Sequence, residues 1–338
     1  MSNNFSSYTL HSPLLKHSFV ISSPLYGYLQ EYYNSEGFQL EFSRRSHIFV
    51  PLNKPRFKEK IGKGEVAADG FIWDLEDSVP PKQKKIARDS IGEIPLKPGN
   101  VEYCVRINVG EPDLLAEDIE AVKAFPFDSI TLPKGESGEQ IAQLMKKIGE
   151  DRNYIVTIET IKGLKAVEEI ASVLRPGRDG LGFGVGDMST DLGVERISTT
   201  ESVFFQQILG QIALAAKARG LDLFDSVSAR LHEVESVQAE AQLSARVFGF
   251  TGKKLINPKH LDVINAAFSP QVAEIEEYLA TMEVFLGASY TNAHVVGSEY
   301  KGMPAFKASD VKIKRYLRQG YFSDLNSAQN LSEMKKSA

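Results

Sequence analysis

The stretch Tyr154–Gly193, YIVTIETIKGLKAVEEIASVLRPGRDGLGFGVGDMSTDLG, decides how the rest of the chain is read. Two short apolar runs flank one amphipathic helical pattern in which Leu164, Val167, Ala171 and Leu174 share a face. Each run closes on a carboxylate, Glu159 in VTIET and Asp187 in GFGVGDM. Acids at the ends of buried strands are costly unless hydrogen bonds or a cation satisfy them. A divalent metal at the mouth of a parallel barrel would do so.

The same rhythm runs outward from Ser46 to about residue 268. The β-rich runs are HIFVPL (47–52), GFIWDLE (70–76), EYCVRIN (102–108), SITLPK (129–134), YIVTIET (154–160), GLGFGVGD (180–187), LDLFDSVS (221–228) and KKLINP (253–258). Helical stripes separate them, such as Leu115, Ile119, Val122 and Ile141, Leu144, Met145, Ile148. Eight strands alternating with helices predict parallel βαβ units and an α/β fold, a (β/α)8 TIM barrel. A doubly wound open sheet is the competitor, but it would gather its polar residues at one switch point. Here polar residues close nearly every run.

The boundaries follow: residues 1–43 as an N-terminal extension, 44–270 as the barrel domain, and 271–338 as a C-terminal helical segment placed to dock on a neighbouring subunit. The extension is rich in Ser, Asn and Tyr. In the last segment Gln271–Leu286 and Lys307–Arg318 read as helices and Thr291–Met303 as loop.

Composition narrows the function class. The 338 residues are 42% hydrophobic and 25% charged, as in a globular protein, and the formal charge of −5 disfavours nucleic acid as a partner. No apolar run reaches the ~18 residues of a membrane span, and a cytoplasmic location is expected. The one cysteine, Cys104, lies inside EYCVRI and reads as a core residue. GFGVG resembles a phosphate loop, but Asp187 follows it and no GK[ST] does, which argues against a P-loop.

A barrel brings its strand ends into one ring. That ring would hold Asp74, Glu76, Asp77, Arg106, Asn108, Lys134, Glu136, Glu159, Asp187, Asp225, Ser228 and Asn257. Hard oxygen ligands with no His or Cys beside them point to Mg²⁺ or Mn²⁺. Glu159 and Asp187 are the expected metal ligands, Glu76 and Asp77 an outer pair. Arg106 is the fork for a carboxylate or oxyanion, with Lys134 and Asn257 as further substrate contacts. Asp74 and Asp225 read first as helix caps, Lys134 and Glu136 alternatively as a rim ion pair, and Asp191 as helix-start chemistry.

RRSHIFVPLNKPRFKEK, FIWDLEDSVPPKQKKIAR, VRIN, ITLPKGES, IETIKGLKAVEEIA, GFGVGDMSTDLG and GFTGKKLINP together resemble, in order over about residues 44–270, the citrate lyase β-subunit-like branch of the HpcH/HpaI aldolase superfamily. The resemblance implies a TIM barrel that makes or breaks carbon–carbon bonds, usually of 3-hydroxyacyl-CoA thioesters. By that match Glu159 and Asp187 bind Mg²⁺, Arg106 holds substrate, Glu76 and Asp77 support metal-bound water, and the chain forms a homo-oligomer, a trimer or hexamer. The sequence reads GES where the family has VES and INP where it has IHP. Where some members carry a C-terminal aspartate, Glu299 is the nearest acid. Three readings stay open: a Mg²⁺-dependent lyase on a 3-hydroxyacyl-CoA type thioester, an aldolase on a free 2-oxo acid, and a non-catalytic barrel subunit.

Overall fold

The computed structural model describes residues 7–35, 42–95, 101–287, 294–322 and 325. The chain forms two compact units, one of Arg44–Ser269 and one of Met1–Ser43 with Pro270–Ala338.

The terminal unit begins with an antiparallel pair, β1 (Ser7–Ser12) and β2 (His17–Ser22), followed by α1 (Ser23–Tyr33). The other unit is a closed barrel of eight parallel strands: β3 (Ser46–Pro51), β4 (Gly70–Asp74), β5 (Glu102–Arg106), β6 (Ser129–Leu132), β7 (Asn153–Ile158), β8 (Gly180–Phe183), β9 (Asp222–Asp225) and β10 (Gly252–Leu255). The strands pair in sequence order and β10 closes on β3. All eight expected runs are strands. They are rich in β-branched and aromatic residues and almost wholly buried, as in a sheet covered on both faces.

Around the barrel lie α2 (Pro55–Gly62), α3 (Lys84–Asp89), α4 (Pro112–Lys123), α5 (Gly138–Ile148), α6 (Ile161–Lys165), α7 (Val167–Val173), α8 (Val185–Leu192), α9 (Val203–Ala218), α10 (Val234–Gln242) and α11 (Leu261–Phe268). Several starts are set by hydroxyl caps. Ser137 Oγ accepts from Gln140 N–H at the head of α5, Thr160 Oγ1 from Gly163 N–H at α6, and Ser202 Oγ from Phe205 N–H at α9. The single helix expected between Glu159 and Asp187 is broken at Ala166 into α6 and α7.

Strand alternation sorts side chains into a wall layer and an interior layer. The wall packs strands such as Phe71, Trp73, Val105 and Val156 against helices in one large cluster. Inside, Ile72, Cys104, Ile155 and Phe224 form a small apolar plug, with Phe49 against it. Cys104 is a core thiol, and burial pushes its pKa well up, so it stays protonated.

The terminal unit is completed by α12 (Val272–Gly287), a short hairpin of β11 (His294–Val296) and β12 (Glu299–Lys301), and α13 (Met303–Arg318). The stretch read as a loop thus holds a hairpin. Leu10, Phe19, Ile21, Leu25 and Leu29 from the N-terminal segment share a core with Ile275, Leu279, Met282, Phe285 and Ile313. The sequence reads these segments as separate appendages because neither carries enough apolar surface alone. Together they bury one core, stitched by Ser22 N–H donating to Glu283 Oε1 (2.6 Å).

Candidate active site at the strand C-termini

The site is built on the two layers above the apolar plug. Ile72 is followed on its face of β4 by Asp74, Cys104 on β5 by Arg106, and Ile155 on β7 by Thr157 and then Glu159. Phe49, Asp77, Arg106, Thr157, Glu159, Phe183, Gly184, Gly186, Asp187, Arg196, Ser226, Val227 and Lys254 line a cleft of ≈ 220 Å³. A wider groove of ≈ 820 Å³ lies on the outer wall between α3 and α4, around Arg88, Glu117 and Phe125. It holds no strand-end acid, and its Arg88 is spent on Glu117 and Asp118. The chemistry belongs in the smaller cleft.

Asp74 and Arg106 form its fixed floor. Arg106 Nε and Nη2 donate to Asp74 at 2.7 and 2.6 Å, and Nη1 meets Glu76 at 2.9 Å. The ring of Phe49 stacks 4.6 Å under the guanidinium. Asp74 also accepts from the N–H groups of Glu76 and Ser78, but these belong to the turn after β4 and no helix starts there, so Asp74 ties a turn and holds the arginine rather than capping a helix. Burial would raise the Asp74 pKa, but Arg106 and these donors outweigh it and hold the carboxyl low.

Glu76 is equally engaged. Its Oε1 takes Lys134 Nζ at 2.7 Å and its Oε2 faces Arg106. Asp77, 57% exposed, sits looser, 3.7 Å from Arg106 and 3.9 Å from Lys134. Lys134 has a left-handed backbone, φ 51°, unusual for a residue with a side chain. That conformation aims its N–H at Glu159 Oε1 (2.8 Å) while its Nζ reaches Glu76 and, at 3.4 Å, Asp187. Burial works against its charge, yet the bond to Glu76 and the charges of Asp77 and Asp187 raise its pKa overall. Glu136 pairs with Lys162 instead, so Lys134 and Glu136 are not one rim pair.

Glu159 is buried one residue beyond β7, and Oε1 carries the only hydrogen bond its carboxylate shows among the described residues. Burial pushes its pKa up to about 7, Lys254 pulling down and Asp187 adding repulsion. Asp187 lies in the first turn of α8 rather than at a strand end. The glycines at 182, 184 and 186 break the strand early and let the helix start at Val185, so the acid faces positive peptide dipoles.

The donor set suits a hard divalent ion. Two carboxylates keep spare oxygens, no His or Cys competes, and a Cβ at Gly184 would fall 2.4 Å from Glu159 Oε2. Glycine keeps that oxygen open. His47, Glu102 and Cys104 also lie within ligand spacing of one another, but at the opposite end of the barrel. Glu102 is already filled there by Arg44, His47 and Ser129.

Asn257 is not among the residues lining the cleft. Its Oδ1 accepts from Lys259 N–H and caps the turn Pro258–His260. Asn108 is tied to Lys84, Leu75 and Asp118, Asp225 to Ser226, Ser244 and Lys253, and Asp191 caps α6 through Ile161 N–H. Glu299 lies on β12 in the terminal unit, 3.4 Å from Lys301. Sequence reasoning passed over Lys254 and Arg196. The signal for Lys254 was there: alternation along KKL must send one of two adjacent lysines inward.

A parallel barrel with two under-bonded acids and fixed cations over its C-terminal mouth defines the class, an α/β-barrel enzyme. The profile of the family described as HpcH/HpaI aldolase/citrate lyase matches residues 45–258. The chain is 32% identical over 245 residues to a citrate lyase subunit beta-like protein of Mycobacterium tuberculosis, covering 72% of this chain and 84% of that one. It is 33% identical over 237 residues to a (3S)-malyl-CoA thioesterase of Cereibacter sphaeroides, covering 69% and 79%. A crystal structure of CitE from M. tuberculosis in complex with magnesium, acetoacetate and coenzyme A superposes with a TM-score of 0.66 at 27% identity, covering 82% of this chain and 98% of that one. A citrate lyase beta subunit from the same organism, complexed with oxaloacetate and magnesium, gives 0.58 at 31% identity, covering 67% and 97%. The chain belongs to the HpcH/HpaI aldolase/citrate lyase family and is a citrate lyase β-like carbon–carbon lyase. Among the described residues no helix is long and apolar enough to cross a membrane.

Proposed function

We propose that this protein is a Mg²⁺-dependent lyase that cleaves, or in reverse forms, a carbon–carbon bond of a 3-hydroxyacyl-CoA type thioester by retro-aldol or retro-Claisen chemistry. The observation that carries the reading is the pair Glu159 and Asp187, both with spare oxygens, facing one cleft beside Arg106. Glu159 and Asp187 would hold the ion, which when bound polarises the substrate's carbonyl and steadies enolate charge. Magnesium in the related CitE structures supports the assignment.

The chain's own groups have separable parts. In cleavage a base takes the hydroxyl proton, the carbon–carbon bond breaks as the carbonyl forms, and its electron pair passes to an enolate that is then protonated. Both oxygens of Glu76 are held by cations, so Glu76 positions Arg106 and Lys134. Asp77 has the freer carboxylate of the pair and is our choice for the proton acceptor. Arg106 contributes fixed positive charge below the reacting carbons. Assembly into a homo-oligomer, implied by the family resemblance, belongs to the same reading.

A free 2-oxo acid is the second reading, favoured by the cleft's ≈ 220 Å³, which suits a small acid. Incubation with Mg²⁺ and malyl-CoA, citramalyl-CoA or free 4-hydroxy-2-oxo acids, following release of glyoxylate or pyruvate, separates the two. Turnover of the thioesters supports the first. Turnover of free acids alone replaces it with the second. No turnover of any of them by metal-replete protein moves the assignment to a non-catalytic barrel.

A further inference from the structure

Lys253 and Lys254 are neighbours on β10 with opposite fates. Lys253 points into the wall, where Nζ meets Asp225 at 2.6 Å and Glu240 at 3.2 Å. Burial opposes its charge, but those two acids raise its pKa. Lys254 points inward and crosses the barrel to β7, where Nζ donates to Thr157 Oγ1 at 2.8 Å. It is 4% exposed and lines the cleft, with no carboxylate within ion-pair distance and no second acceptor among the described residues. Burial lowers its pKa to about 8, against the pull of Glu159.

An ammonium offers three donors, and this one uses one. A buried cation with two idle donors is expensive, and its cost is offset when a ligand supplies the acceptors. The fold makes room for it: a Cβ at Gly182 would stand 2.6 Å from Nζ, so the glycine keeps the lysine's path across the interior open. Thr157 lies two residues before Glu159 on one face of β7, which sets the ammonium in the layer just under the proposed metal ligands. Arg106, the residue first expected to hold substrate, gives three of its five N–H donors to Asp74 and Glu76, whereas Lys254 has no carboxylate partner among the described residues.

We propose that Lys254 is a substrate-binding residue of this cleft, its two idle N–H donors taking the carboxylate of a small 2-oxo acid or of the corresponding part of a larger substrate. The inference rests on the lyase reading above. It adds a contact to the one expected of Arg106: Arg106 supplies a charge anchored on Asp74, and Lys254 a second donor group from across the barrel. The ligand must then carry acceptor oxygens low in the barrel, and a carboxylate matches the buried charge where a neutral ketone or aldehyde does not.

The test uses the full-length protein with Mg²⁺ and pyruvate, both followed by titration calorimetry. Lys254→Met should weaken pyruvate binding at least about thirtyfold, leave Mg²⁺ binding as tight or tighter, and keep the fold by circular dichroism. Lys254→Arg should recover part of the loss. Should the Met variant fail to fold, Lys254→Gln, which removes the charge and ends one bond shorter, carries the same comparison. Pyruvate affinity within about twofold of wild type overturns the proposal. So does a loss of pyruvate binding matched by loss of Mg²⁺ binding. Wild-type protein that binds neither Mg²⁺ nor pyruvate overturns the lyase reading itself, a different result from a variant that binds both as well as wild type.

Discussion

The two ends of this barrel are both densely charged, and they handle charge in opposite ways. At the N-terminal end Arg44 donates twice to Glu102 (2.6 and 3.0 Å) and once to Asp222 (2.8 Å), His47 and Ser129 also reach Glu102, and Arg45 clasps Asp69 through two bonds of 2.8 Å. Burial alone would raise the Glu102 pKa, but Arg44 and His47 outweigh it and hold the acid ionised. At the C-terminal end Glu159 and Lys254 face the cleft half-satisfied, and burial pushes each toward its neutral form. A closed network holds the strands together. The open one waits for a ligand. Such an asymmetry separates stability from chemistry in a barrel without reference to any relative.

The difference can be broken from the open end with the largest effect. Asp187→Ala or Glu159→Gln should lower Mg²⁺-dependent turnover by about 10³-fold or more, the loss of several kcal/mol of charge stabilisation. Thermal melts of Glu159→Gln should stay level or rise, because a buried, under-bonded charge is removed. A drop of the melting temperature with activity intact would reverse the assignment.

The closed end should respond the other way. Glu102→Gln leaves Arg44 with Asp222 as its remaining carboxylate partner and should cost about 1–3 kcal/mol in urea unfolding, with turnover per folded molecule unchanged. Stability at wild-type level there would show that the network contributes nothing net.

pH sharpens the contrast. The Glu159 carboxyl is about 7 in the folded protein against an ordinary value of 4.5. Folding therefore favours its protonated form. The stability this group contributes is complete below pH 4.5 and is lost as pH rises through 7. The ion must displace that proton, so Mg²⁺ affinity should climb up to about tenfold per unit as pH rises toward 7 and level off above it. Calorimetry in buffers of different ionisation heat should detect one proton released on binding below that point. A flat affinity across pH 5–8 would contradict the direction given for Glu159.

The smallest effect belongs to Asn257. As a cap it should cost about 0.5–2 kcal/mol of stability on change to Ala, with KM for substrate unmoved. A KM that rises while stability holds would return Asn257 to the substrate site.

Most of the barrel was legible because period and burial agree in every strand run. The facing of Glu159 and Asp187 on one cleft was legible too, since an acid following an apolar run stands out, though Asp187 reaches it from the first turn of α8. What could not be read was occupancy. Arg106 looks like a free fork until Asp74 is seen to take two of its N–H groups, and Asp74 looks like a helix cap because caps and counter-ions share one residue type. Asn257 and Lys254 lie three positions apart, and polarity ranks them alike. Only the reach of Lys254 across three strands, permitted by Gly182, sets them apart. The terminal unit was missed for a related reason: the two halves of its core are some 250 residues apart in the chain, too far for any local pattern to join them.

Lys134, with its left-handed backbone, has a consequence for anyone selecting variants of this protein. A non-glycine residue in that region carries a conformational cost of order 1–3 kcal/mol, which glycine would relieve. A screen that rewards heat resistance alone should drift toward glycine at this position. The drifted variants would melt later and lose the side chain that ties Glu76 and Asp187 together, so the backbone angle at one residue marks a place where selection for robustness and selection for turnover pull apart.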